Sequence, residues 1–309
     1  MLLCVFKVMR KVLVIPLLFA AACSHKPASV KVDPSLDTMV PPDTVLLVGT
    51  RLEALLKTPV YQKNFANRQI PQIEEFARRT GLDPRKDLWE LLFVSNGKNG
   101  VLLGRGKFAD EMLEPRFEKE GATRSDYKGF HLYGNDQGAL MLISPTVAAV
   151  ARVEDLHALV DRKPEAHGPP PAVAELMKEI PADAQFWAAY AGGPIHLPFD
   201  PNSNLGNVNK LISSVETGFL YFDLRSGLNG LVVANCGSED AAEQVQGALK
   251  ALVGLGRLSV PKEQPDLAQV YDSIRITKEA KRVNLHIDVP EAMVDKFLGM
   301  WLGRPNYTH

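Results

Sequence analysis

Side chains able to do acid–base, nucleophilic or metal chemistry are thinly spread along this sequence. Its seven histidines, His25, His131, His157, His167, His196, His286 and His309, include no pair at i, i+4, the spacing that puts two imidazoles on one helix face for a metal. The three cysteines, Cys4, Cys23 and Cys236, lie far apart, which excludes a zinc module and a disulfide framework. No His-Glu-x-x-His, Gly-x-Ser-x-Gly or phosphate-loop pattern occurs. Ser259 and Lys262 have the spacing of a serine nucleophile with its lysine, but Pro261 between them opposes the helical turn that must bring hydroxyl to amine. Gly104, Arg105, Gly106 and Lys107 follow a hairpin and read as a turn. Cys236 ends an apolar run and reads as a small buried hydrophobe. His131, His196 and Asp200 are left as groups that a hydrolytic site assembled from distant strands would use. The stretch from Gly192 to about Asn209 has no periodicity, and a structureless loop of that length is a place for function. In it Ile195, His196, Leu197, Phe199 and Asp200 mix apolar and titratable side chains. They either fold back on their own domain or present contacts to a partner. No cofactor and no metal is expected.

The bulk composition is that of a globular chain. Of 309 residues 46% are apolar and 23% charged, enough to build a core and too charged for a polytopic membrane protein. Thirty-five basic residues against 36 acidic ones leave a net charge of −1, so no basic surplus recruits nucleic acid.

The N-terminus is different. Lys7, Arg10 and Lys11 precede the apolar run Val12 to Ala22, which at eleven residues is too short for the about 20 that span a bilayer, yet matches a secretory signal. Phe19, Ala20, Ala21, Ala22 and Cys23 in succession resemble the lipobox of bacterial lipoproteins. That resemblance implies removal of residues 1–22 and acylation of Cys23, palmitate included, with the membrane as a partner held through the acyl chains. Ser24 in place of Asp behind the cysteine implies the outer membrane, facing the periplasm. Two or three chains suffice, because each buried methylene contributes about 0.8 kcal/mol. Residues 23–43, with Pro27, Pro34, Pro41 and Pro42, then read as a flexible tether able to reach roughly 60 Å in a polyproline-like state.

The elements that must position any site follow from residue 44. Residues 44–161 read as strand, helical stretch, β-hairpin, helix, hairpin and helix. The strand from Thr44 to Gly49, the helix opened by Thr58 and Pro59, the helix from Pro71 closed by Gly81, and the hairpin at Asn96 to Gly100 carry that reading. A helix from Ala109 to Glu120 and strands from Phe130, Ala139 and Val147 complete the half. A proline-rich connector, 162–172, precedes a second half over 173–302 in the same order, and 303–309 form a tail. Ser238 caps the clearest helix, ended by Gly254 and Gly256.

The expected fold is thus α+β, with two related βαββαβ-like halves, antiparallel sheets and helices packed on one face. The Pro42–Asp43 and Pro181–Asp183 starts of the two halves, with the Asp83–Pro84 turn, resemble duplicated α+β lipoproteins of bacterial families of unknown function, and the order is similar to the split βαβ of ferredoxin-like folds. The resemblance brings no catalytic residues. The function expected is a membrane-anchored cell-envelope lipoprotein that is not an enzyme and binds an envelope protein or glycan; the alternative is an envelope hydrolase.

Overall fold

The structure, a computed structural model, describes residues 28–108, 117, 119, 121–135, 137–165, 168–193, 213–260 and 267–302. The described strands are β1 (Leu46–Thr50), β2 (Leu88–Ser95), β3 (Gly100–Gly106), β4 (Thr123–Tyr127), β5 (Phe130–Asn135), β6 (Gly138–Ser144), β7 (Val147–Ala151), β8 (Phe186–Tyr190), β9 (Val215–Asp223), β10 (Gly227–Cys236), β11 (Ile274–Glu279) and β12 (Arg282–Pro290). The helices are α1 (Pro34–Asp37), α2 (Leu52–Leu55), α3 (Pro59–Asn64), α4 (Pro71–Thr80), α5 (Pro84–Asp87), α6 (Val153–Arg162), α7 (Pro171–Met177), α8 (Glu239–Leu258), α9 (Ala268–Asp272) and α10 (Glu291–Leu302). The chain is α+β with an antiparallel sheet.

All the described strands join in one sheet, in the order β11-β12-β10-β9-β8-β1-β2-β3-β7-β6-β5-β4. The halves meet where β1 pairs antiparallel with β8, Leu47 opposite Ala189 and Gly49 opposite Trp187. Outward from that seam each half runs first strand, hairpin, then its last two strands in reverse; the first half adds β5 and β4. Local chemistry sets the ends as expected: the Thr58 hydroxyl accepts from the Tyr61 N–H, Gly81 closes α4 in the left-handed region at φ 80°, and Ser238 caps α8.

Helices cover both faces of the sheet, which corrects the expectation of one. In β10 the buried Val233 belongs to the main core with Leu36 of α1, Leu156 of α6 and Val173 of α7, while its neighbour Ala234 packs with Ala242 and Val245 of α8. Adjacent strand residues point to opposite faces, so a sheet apolar on both sides requires two helical layers. The helices that end the halves, α6 and α10, lie on opposite faces as well. Gly254 and Gly256 do not end α8, which continues to Leu258; Gly256 is where Tyr271 of α9 crosses, its ring 2.4 Å from where a Cβ would stand.

The expected tether is, from Ala28 onward, part of the fold. Ser29 bridges to Pro181, Asp33 caps α1, and Val30, Leu36, Met39 and Val40 are buried in the main core. These apolar residues are isolated among prolines, so no periodicity announces them. Each nevertheless stabilises the fold by roughly 1.5–3 kcal/mol when fully buried.

Candidate functional site

Two segments that leave the sheet on the same side build the site. Beyond α2 the Thr58 hydroxyl donates to the Leu55 carbonyl (2.8 Å), Pro59 supplies a preset φ, and α3 begins. This lays Val60, Tyr61 and Phe65 over β10 and β12. At the other end of the chain Pro290 closes β12 and α10 returns, its Val294, Phe297 and Leu298 on one helical face. Between α3, α10, α9 and the sheet residues Leu228, Ile287 and Val289 lies a cavity of about 620 Å³.

The cavity is apolar throughout. Among the described residues its lining side chains include no carboxylate, cation, imidazole or thiol; its hydroxyls are those of Tyr61 and of Thr58, the latter spent on the α3 cap. Water needs two to four polar partners to settle in such a space and finds few here. Binding pockets run to about 300–1,000 Å³ with mainly apolar walls, so the volume suits a chain-like or ring apolar ligand.

A polar clamp holds α10 over the cavity. Asp295 of α10 accepts from the Asn64 side-chain amide (2.6 Å) and pairs with Lys63, both on α3, while Arg68 donates to the carbonyl of Leu302 (2.9 Å). Desolvation raises the Asp295 carboxyl, and the hydrogen bonds from Lys63 and Asn64 outweigh it, leaving the group below the usual carboxylate range.

The residues that the sequence singled out are dispersed. Cys23 and the loop residues Ile195, His196, Leu197, Phe199 and Asp200 lie outside the described residues. So do Lys262 and most of the helix expected over 109–120; Phe117 of that stretch stacks on Tyr133, 5.7 Å between centroids. His131 sits half-buried on β5, its Nδ1 paired with Asp126 of β4, with Arg124 Nη2 at 3.0 Å. Cys236 is buried, and burial pushes its thiol up, as a small hydrophobe requires. No cluster of three or more His, Cys, Asp or Glu able to hold a metal occurs among the described residues, and no described helix is long and apolar enough to cross a membrane.

Reasoning from the sequence missed the cavity. Its walls come from positions 55 to 298, and no spacing rule links such distant residues. The signals in reach were the Thr58–Pro59 start of α3 and the amphipathic α10, but not that the two face each other.

No family model and no curated protein matches the chain. Among solved structures it is similar to TP0453 in crystal form III, with a TM-score of 0.51 and 12% identity over 87% of this chain and 98% of that one. TP0453 in crystal form I gives 0.48 and 12% over 87% and 97%. At such identity the likeness to crystal form III concerns the fold alone.

Proposed function

We propose that this is a membrane-anchored cell-envelope lipoprotein, acylated at Cys23, which acts without catalysis by holding an apolar chain between α3, α10 and the sheet. The observation that carries the binding role is the cavity of about 620 Å³, whose described lining offers burial and, the Thr58 and Tyr61 hydroxyls apart, no titratable or nucleophilic side chain. The anchoring rests on residues 7–23 of the sequence. On this reading the clamp at Asp295 sets how readily α10 lifts to admit the ligand, and a protein or glycan of the envelope remains the destination to which the ligand is presented.

The test uses the full chain purified from a bacterial envelope. Solvent extraction and mass spectrometry should find an apolar species bound at near-stoichiometric amount, and a fluorescent apolar probe should be displaced by a long-chain fatty acid. Ile287→Phe, which fills the cavity, should keep the protein folded while abolishing both signals. Probe binding that Ile287→Phe leaves untouched, or no bound species and no displacement at all, would sink the binding role.

A further inference from the structure

A second cleft, of about 450 Å³, lies across α2 from the apolar cavity: α2 and the turn after it give Ala54 and Lys57 to this one, Leu55 and Thr58 to the other. Its floor is polar. Glu90 of β2 stands opposite Arg105 of β3, and the register shift between Leu88 and Glu90 leaves Trp89 as an extra residue in the strand. Such a bulge re-aims side chains, and here consecutive residues, Trp89 and Glu90, both line the cleft.

The two charged floor groups are incompletely paired among the described residues. The Glu90 side chain is only 8% exposed, makes no hydrogen bond, and has Arg105 Nε at 3.8 Å as its ion-pair partner. Arg105 lies over the Trp89 ring at 5.1 Å, and its Nε is buried without a hydrogen bond. Asp33 Oδ2 forms an ion pair with that Nε at 3.2 Å without making a hydrogen bond to it, while Oδ1 of the same carboxylate accepts from the Ser35 N–H and hydroxyl to cap α1. Burial, with Asp33 close by, holds the Glu90 carboxyl above its usual range. Lys31, Arg51 and Lys57 complete the rim, so the lining presents four cations and three carboxylates, Glu53 among them.

That mixture discriminates between ligands. A lone anion meets Glu90 and Asp33, and a lone cation meets Arg105 and Arg51. A compact dipolar ion sets an ammonium against Glu90, which has only the Arg105 ion pair at 3.8 Å among the described residues, and an anion against the half-buried Arg105 guanidinium; a buried carboxylate left without hydrogen bonds is what costs most. The cleft also lies beside the start of the described chain: Arg51 donates to the carbonyl of Ala182, whose N–H donates to Ala28 (2.8 Å). Five residue steps separate Ala28 from Cys23, at most about 18 Å of extended chain.

We propose that this cleft binds the phosphate–ammonium headgroup of a zwitterionic phospholipid, phosphate against Arg105 and Arg51, ammonium against Glu90. The lipid source rests on the acylation of Cys23 proposed above, because only an anchor that close puts the cleft in the headgroup layer; the dipolar chemistry does not rest on it.

The probe is soluble phosphoethanolamine, titrated by calorimetry into the full chain beside inorganic phosphate and ethanolamine, with vesicles of phosphatidylethanolamine or phosphatidylglycerol as a second arm. The expected result is saturable binding of phosphoethanolamine at least tenfold tighter than either half, weakened at least tenfold by Glu90→Gln and several-fold by the exposed rim variant Lys31→Gln. The vesicle arm should favour phosphatidylethanolamine, and Glu90→Gln should remove the preference. Phosphate binding as tightly as phosphoethanolamine, or no binding in the wild type, overturns the proposal. Binding of the soluble headgroup without a vesicle preference overturns the lipid source and leaves a free dipolar ion as ligand. The mass of the N-terminal peptide reports the acylation separately, so its failure is told apart from that of the cleft.

Discussion

At the seam between β1 and β8 one side chain forbids another. Trp187 is fully buried, and a Cβ added to Gly49 opposite it would stand 2.2 Å from the indole ring. Glycine weakens a strand interior, so its presence here marks a close approach. Gly49→Ala should therefore destabilise the protein by about 1–3 kcal/mol through overpacking, read from urea unfolding midpoints. The double variant Gly49→Ala with Trp187→Phe should recover part of that loss, since the two positions share one space. The Trp187 indole N–H is buried without a hydrogen bond among the described residues, so the phenylalanine also removes an unsatisfied donor. A neutral Gly49→Ala would show that the seam is looser than the geometry describes.

Two elements carry predictions of their own. The first is α1 and its flanks, where Leu36 is fully buried. Leu36→Ala should cost about 2–5 kcal/mol in chemical denaturation; a free tether would tolerate it without effect. The second is the α3–α10 clamp. Asp295 has its carboxyl lowered in the folded state, so its pairing with Lys63 and Asn64 stabilises the protein above the unfolded carboxylate pKa and is lost as pH falls through the folded value, below about 4. The melting temperature of the wild type should thus exceed that of Asp295→Asn at pH 7, with the gap closing as pH falls below the ordinary aspartate range. A gap that persists in acid would assign the effect to packing and not to charge.

For the whole molecule, the distance from anchor to body matters most. Because the fold reaches back to Ala28, residues 24–27 are what separates it from Cys23, in place of a twenty-residue tether. On the proposed reading the body rides on the headgroups and cannot swing clear of them. Cys23→Ala should abolish incorporation of a radiolabelled fatty acid and leave an unprocessed or released form. An unmodified N-terminus at Ser24 or beyond in the native protein would remove the anchor.

What the sequence determined by itself is local. The Thr58–Pro59 start, the Gly81 stop, the Asn96–Asn99 turn and the Ser238 cap follow from the hydrogen bonds and backbone angles of a few neighbouring residues, and the apolar runs of β2, β3 and β10 mark strands with at least one face in the core. β4 escaped that reading because Thr123, Arg124, Ser125 and Asp126 offer no apolar pattern; it is an exposed edge strand held by its ladder to β5. Only tertiary structure decided that the halves share one sheet through β1 and β8, that helices cover both faces, and that residues 28–43 belong to the core. Only it brought α3 to α10 and Asp33 to Arg105. These are pairings between distant residues, and backbone hydrogen bonds and apolar contacts have the same chemistry with any partner, so the choice rests on packing of the entire chain, which no short window of sequence contains.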